Sequence, residues 1–237
     1  MQLTSWGRYP RVEAEILQPA HSAALQQMLA RPGADAPLIP RGAGRSYGDS
    51  SLAARVLSSR YLDAFMELEA DGRRLRCGAG TSLDDILKLI VPRGLFLPVV
   101  SGTRYVSVGG AIAADIHGKN HHRDGSFCDW IESFNLVLAS GETVSCSPSH
   151  NAELFHASCG GMGLTGFILD ATLKLEAIGS SYLLSRSLPA EGLQQCLQLL
   201  QQHNDSRYSV AWIDCLAQGS KLGRGIVHLA DQQLREN

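Results

Sequence analysis

An α+β fold is predicted, with two small α/β subdomains followed by the opening of a further α+β domain, and three observations point to it. Short strand-like and helix-like segments alternate with no internal repeat. Glycine-rich stretches at 40–48, 101–118 and 160–168 interrupt them. Beyond about residue 178 the pattern changes to strands around one Gln-rich amphipathic helix. The division that follows is 1–177, with subdomains of about 1–60 and 61–177, and then 178–237.

Val12 to Leu17 alternates apolar and acidic residues, as in a half-buried strand, and Leu25, Met28 and Leu29 at helical spacing predict a helix over Ser22 to Ala30. Pro32-Gly33 breaks that helix, Leu38-Ile39 forms a short strand, and the chain enters the first glycine-rich loop. Phe65 to Leu68 and Leu75 to Cys77 predict a hairpin, because Asp71-Gly72 supplies the positive-φ position between them. Thr81-Ser82 caps a helix over Leu83 to Val91, with Asp84 and Asp85 favourably placed at its positive end. Pro92-Arg93-Gly94 ends it.

Ile131 to Ala139 and Thr143 to Cys146 make a second hairpin about Ser140-Gly141-Glu142. A helix over Ala152 to Ser158 follows, broken by Gly160-Gly161-Met162-Gly163 before a strand from Phe167 to Leu175. Past 178 come a strand at Tyr182 to Leu188, a helix at Glu191 to Gln202, and strands near Tyr208 to Asp214 and Gly225 to Leu229. These roughly 60 residues are thin for an independent core, so the polar ending at 231–237 is expected to be a truncation.

Of the 237 residues 44% are hydrophobic, enough for one large core or two modest ones. The net charge of -2, from 21 basic and 23 acidic residues mixed along the chain, creates no field favouring nucleic acid or anionic lipid. Apolar runs such as Ile86 to Val91 fall far short of the ~18 residues that span a bilayer. Residues 1–20 lack the apolar stretch of a secretory signal, which places the chain in the cytoplasm or at a membrane face through partners. Six cysteines without a close pair are expected to be reduced and mostly buried.

The loop Pro40-Arg41-Gly42-Ala43-Gly44-Arg45-Ser46-Tyr47-Gly48 lets backbone N–H groups approach an anion, with Arg41 and Arg45 available for charge-assisted bonds to phosphate. An exposed turn is the plainer alternative. No Gly-Lys-Ser/Thr follows and no Gly-x-Gly-x-x-Gly opens a helix, which disfavours triphosphate hydrolysis and ordinary Rossmann binding.

Around Ser107-Val108-Gly109-Gly110, small residues allow close approach to a flat or phosphorylated ligand, with the first helical N–H groups facing it. A closely packed structural helix is the alternative. The string His117-Gly118-Lys119-Asn120-His121-His122 concentrates titratable groups in an irregular loop; Gly118 and Asn120 oppose the helix that a His117/His121 metal pair would need, so no metal is expected. A solvated polar loop is the other reading. Three such segments, with Gly163 to Gly166 as the third, suggest one long ligand across two subdomains.

In combination, Pro40 to Asp49, Ser107 to Gly110, His117 to His122 and Gly163-Leu164-Thr165-Gly166 resemble the PCMH-type FAD-binding domain of vanillyl-alcohol-oxidase-type oxidoreductases. The resemblance runs from residue 4 to about 230. It implies that residues 40–50, including Asp49 and Ser50, wrap the FAD diphosphate. Gly102, Ser107, Val108, Gly109 and Gly110 would line the diphosphate and isoalloxazine, and Ala114, Asp115, Ile116, His117, Gly166 and Ile168 would complete the pocket.

Tyr47, His117 and Lys119 match positions on the substrate side and are the candidate catalytic residues. Arg45 stands where many relatives carry a tethering histidine, which implies noncovalent FAD. The implied reaction oxidises a secondary hydroxyl of a polyprenylphosphoryl-ribose-like sugar to a ketone, as part of an epimerisation for cell-wall donors completed by an NAD(P)H-dependent short-chain reductase partner. An alditol or sugar oxidase of the same superfamily, or a flavin-binding module needing a second chain, are the alternatives. Relatives of this type are about twice as long, and their second half supplies most of the substrate site.

Overall fold

The computed structural model describes residues 1–30 and 38–233. Pro32-Gly33, expected to break the first helix, and the last residues of the polar ending lie outside them.

Two sheets position the site. The first is parallel and three-stranded, with Arg55–Ser58 between Glu15–Leu17 and Leu38–Arg41. Its central strand was not legible in the sequence: four residues buried on both faces show no alternation, and Val56 and Leu57 are buried completely. The strand expected over Val12 to Leu17 is instead two pieces, Val12–Glu13 pairing with Gln2–Leu3 and Glu15–Leu17 joining the parallel sheet. The break falls at buried Ala14, whose N–H donates to Met1 O. The helix Ser22–Ala30 packs Leu25 against Leu57, Leu62, Val137 and Phe167. Val137 and Phe167 belong to the second sheet, so the two layers share this core.

That second sheet is antiparallel and five-stranded, in the order Thr143–Cys146, Ile131–Val137, Phe167–Lys174, Arg74–Gly78, Met66–Leu68. Both expected hairpins lie in it. The helix Leu83–Ile90 turns Leu83, Ile86 and Ile90 onto it, because apolar residues three and four apart share one helix face. Ser82 starts this helix by accepting the Asp85 N–H at 3.1 Å, and Gly94, at φ 72°, closes the 3-10 turn Val91–Arg93 that ends it. A register shift between Ile168 and Asp170 interrupts the central strand where it enters the site. Leu95–Phe96 and Glu176–Ala177 form a further small antiparallel pair.

From Leu183 a third sheet begins, with Gly225–Gln232 between Leu183–Ala190 and Tyr208–Ile213. The helix Leu193–Gln202 covers one of its faces and buries Ala190, Cys196, Val227 and Leu229. This unit is fastened to the preceding layer through Arg207, which donates to Asp124 Oδ2 at 2.9 Å and to Glu176 Oε2 at 2.8 Å. Among the described residues no helix is long and apolar enough to cross a membrane.

Candidate functional site

The strand Leu38–Arg41 runs straight into the first glycine-rich loop, which turns against the next element at contact distance. A Cβ at Gly42 would run into Ser107 Oγ, the hydroxyl that accepts the Ala43 N–H at 3.2 Å. Gly44, at φ +67°, leaves the space that the Arg41 guanidinium fills.

Arg41 folds back into its own loop and donates to Thr4 O at 2.7 Å and to Ser51 O and Oγ at 3.2 and 3.1 Å. These hydrogen bonds close the loop, while Arg41 also lines the adjoining cavity. Its charge remains uncompensated, since no carboxylate among the described residues pairs with it, and burial pulls its pKa below the ordinary value. A half-buried cation of this kind favours an anion in the space beside it. Arg45, the other proposed phosphate ligand, donates to Tyr105 O at 3.2 Å, and its guanidinium lies 6.0 Å from the Trp6 ring centroid. It clips the loop to the 101–105 turn and to the N-terminal segment.

One cavity of about 560 Å³ is lined by residues 40–48 and Ser50 together with Gly102, Ser107, Gly109, Gly110, Ala114, Ile116, Gly166 and Ile168. All three glycine-rich stretches meet there. Asp49, Val108, Asp115, His117 and Lys119 are not among its lining residues. Val108 is fully buried in the core, and Asp49 is exposed. Asp115 adopts φ +39° and its Oδ1 accepts the Cys128 N–H at 2.9 Å, which makes it a turn-forming residue.

The helix Val108–Ala113 begins at Ser107, and of its first three N–H groups only that of Gly110, which lines the cavity, finds no acceptor among the described residues. Val108 N–H donates to Thr81 O and Gly109 N–H to Ala79 O, both at 2.9 Å. Those carbonyls lie at the end of the strand Arg74–Gly78 and claim the helix start; a Cβ at Gly109 would stand only 3.0 Å from Ala79 Cβ. What the helix also offers the cavity is a wall of small residues, Gly109, Gly110 and Ala113.

The histidine-rich string divides in two. His117 forms an isolated antiparallel bridge with Ser126, while His121–Asp124 makes a helical turn where an irregular loop was expected. Asn120 accounts for the division: it is 1% exposed, and its Nδ2 donates to Pro98 O at 2.7 Å and to Asp124 Oδ2 at 2.6 Å. A buried amide satisfied on both sides pins the turn. The His117 and His121 ring centroids are 5.4 Å apart. Lys119 O accepts the Ser209 N–H at 2.9 Å, so the backbone is held while the His117 and Lys119 side chains stay exposed. Tyr47 lines the cavity at its rim and is 83% exposed.

Several lining residues were not foreseen: Trp6, Ser51, Ser59, Ala79, Ser101, Thr103, Val106, Ala113, Met162, Gly163 and Phe167. Ser101, Thr103, Val106 and Ala113 fall in the second glycine-rich stretch and Met162, Gly163 and Phe167 in the third, so the stretches were legible although these members were not singled out. Trp6 carried no signal; it reaches the cavity because its N–H donates to Ser46 O at 3.0 Å.

This lining fits FAD. Gly48 and Gly102 face open space where any side chain would intrude, and the N–H groups of Gly44 to Gly48 find no backbone or side-chain acceptor among the described residues. Unpaired N–H groups in a loop that lines a concavity suit a diphosphate.

The sequence pattern of the FAD binding domain family matches residues 14–147. The chain is 34% identical over 233 residues to decaprenylphosphoryl-beta-D-ribose oxidase of Mycolicibacterium smegmatis, a match covering 95% of this chain and 51% of that protein. It is 42% identical over 151 residues to an uncharacterized protein of Streptomyces coelicolor, covering 63% and 41%. It is 30% identical over 136 residues to cytokinin dehydrogenase 4 of Arabidopsis thaliana, covering 57% and 26%. The chain thus spans about half the length of the first of these relatives and less of the others.

Proposed function

The chain belongs to the FAD binding domain family, and from that membership we propose that it is the flavin-binding part of an oxidoreductase that converts a secondary hydroxyl of a polyprenylphosphoryl-ribose-like sugar to a ketone. The observation that carries this reading is the meeting of three glycine-rich segments on one cavity. The sugar class is supported by the 34% identity to a ribose oxidase across nearly the whole chain.

FAD supplies, when bound, a hydride acceptor at N5. In this reading residues 1–177 hold the cofactor and 178–237 face the substrate. The loop 40–48 orients the diphosphate, and Gly109, Gly110 and Ala113 give the ring system a flat wall. Tyr47, His117 and Lys119 lie towards the substrate, where their exposed side chains bind the sugar and the His117 imidazole accepts the hydroxyl proton. Arg45 stands at the position of the relatives' tether and is engaged with Tyr105 and Trp6, which supports noncovalent FAD. The ketone would pass to an NAD(P)H-dependent short-chain reductase, with the protein in the cytoplasm or at a membrane face. The half-length match favours one variant of this reading, in which a second segment or chain completes the substrate site.

Purified protein should be yellow, and acid precipitation should leave all flavin absorbance in the supernatant. Colourless protein would remove the reading; flavin retained by the precipitate would remove its noncovalent part.

A further inference from the structure

A second cavity, of about 820 Å³, shares the loop 41–45, Ser59 and Ser107 with the first as a common wall. The rest of its lining is its own, and Ile16, Gln18, Ser58 and Arg60 border this space without bordering the flavin cavity. Its place follows from the parallel sheet. Leu17 pairs with Leu57 and Arg41 with Ser58, so Gln18, Ser58 and Arg41 stand at one level where the three strands end. The crevice beyond the carboxyl ends of parallel strands is where such sheets commonly receive a ligand. The floor is firmly built. Ser58 and Ser59 are 7% and 5% exposed, the Ser59 N–H donates to Arg41 O at 2.9 Å, and a Cβ at Gly80 would run into Ser59 O. Ser58 Oγ accepts the Arg60 N–H at 3.3 Å, which fixes where that residue leaves the strand. The Ser59 hydroxyl finds no hydrogen-bond partner among the described residues, although Ser59 is buried and lines the cavity.

The charge of this lining is one-sided. Arg41, Arg45 and Arg60 border the cavity, and no aspartate or glutamate does. None of the three forms an ion pair among the described residues. A hollow lined by three arginines without a counter-charge favours an anion, and the planar fork of a guanidinium matches phosphate oxygens. Leu3, Ala14 and Ile16 add apolar surface and Gln18 a hydrogen-bonding amide, more than an inorganic ion requires.

We propose that this cavity is a second anion site, separate from the flavin, that takes a phosphorylated small molecule of sugar-phosphate size. Arg60 is its specific anchor, since Arg41 and Arg45 also border the flavin cavity. The site takes no part in the proposed oxidation, so it stands or falls separately from that reading. FAD carries the same phosphate chemistry, and the test separates the two sources.

Inorganic pyrophosphate and ribose 5-phosphate are titrated calorimetrically, at low ionic strength, into the full chain both stripped of flavin and saturated with FAD. The FAD-saturated protein should bind either probe, with an affinity that falls as NaCl is added. Arg60→Gln should weaken that binding at least about tenfold and leave FAD affinity unchanged. Arg11→Gln, at an exposed arginine that does not line the cavity, should change it less than about twofold. Absence of binding in both forms would overturn the proposal. So would binding to the stripped form alone, which assigns the anion to the flavin's own diphosphate position, and so would equal losses in Arg60→Gln and Arg11→Gln, which reveal general attraction to positive charge. A chain that takes up no FAD ends the proposed function, while the stripped form and the two variants still decide this site.

Discussion

Gly42 packs directly on Ser107 Oγ, so a single methyl group there must displace the hydroxyl that accepts the Ala43 N–H and joins the loop to the helix start. Gly42→Ala is expected to weaken FAD binding at least about tenfold, roughly 1.4 kcal/mol, with little change in melting temperature of the flavin-free protein. Fluorescence titration of FAD checks it, and unchanged affinity would show that the contact does not shape the site. Cys77 makes a different kind of claim. Burial on the strand Arg74–Gly78 pushes its thiol up to about 12 from the ordinary 9.0. Between these values the unfolded chain has lost its proton while the native chain keeps it, so the native state binds more protons and stability falls as pH rises. The contribution is fully present below pH 9 and lost by about pH 12. Cys77→Ala should cost on the order of 1 kcal/mol at neutral pH through the cavity it leaves, yet show a shallower alkaline decline in urea melts. An identical slope in both proteins would refute the assignment.

At the scale of elements, local chemistry wrote much of the structure. The helices Ser22–Ala30 and Ala152–Ser158 form over the residues expected of them, and Ser82 caps Leu83–Ile90 as its position before Asp84-Asp85 implied. Ser82→Ala should therefore cost about 1 kcal/mol and lower the melting temperature by a few degrees. A shift within error would mean that packing of Leu83, Ile86 and Ile90 holds the helix without its cap. Other elements were hidden because their cause is not local. Arg55–Ser58 is a strand only because two parallel neighbours enclose it, and His121–Asp124 turns helical because buried Asn120 anchors its start from outside. The start of Val108–Ala113 was read as facing a ligand, whereas the carbonyls of Ala79 and Thr81 take the N–H groups of Gly109 and Val108 and leave that of Gly110 at the cavity.

Across the whole molecule, the third sheet meets the flavin-site layer on a narrow polar contact, and Arg207 is its centre. Burial lowers the Arg207 pKa, but its hydrogen bonds to the Glu176 and Asp124 carboxylates outweigh this and raise it overall. Its side chain is 21% exposed, and those of Asp124 and Glu176 are 19% and 21% exposed. Removing the guanidinium would leave two carboxylates close together and poorly solvated, at a cost of roughly 1–3 kcal/mol. Arg207→Met should speed amide exchange in residues 117–124 and 207–209, where Lys119 O meets the Ser209 N–H, while exchange in Ile131–Val137 stays slow. Unchanged exchange at 117–124 would show that the contact does not depend on Arg207.

The amino-acid sequence by itself determined the caps, turns and hairpins, the mixed α+β character, and the three glycine-rich segments that pointed to one long phosphate-bearing ligand, which the family resemblance identified as FAD. These depend on neighbours within a few positions: a hydroxyl before a helix, a glycine where φ turns positive, apolar residues on one face. Only the tertiary structure decided that the three segments share one cavity, that Arg41 closes its own loop, and that Asn120 divides the histidine string. Each of these is settled by long-range competition for hydrogen-bond partners and buried space, and its winner is fixed only when distant segments pack together.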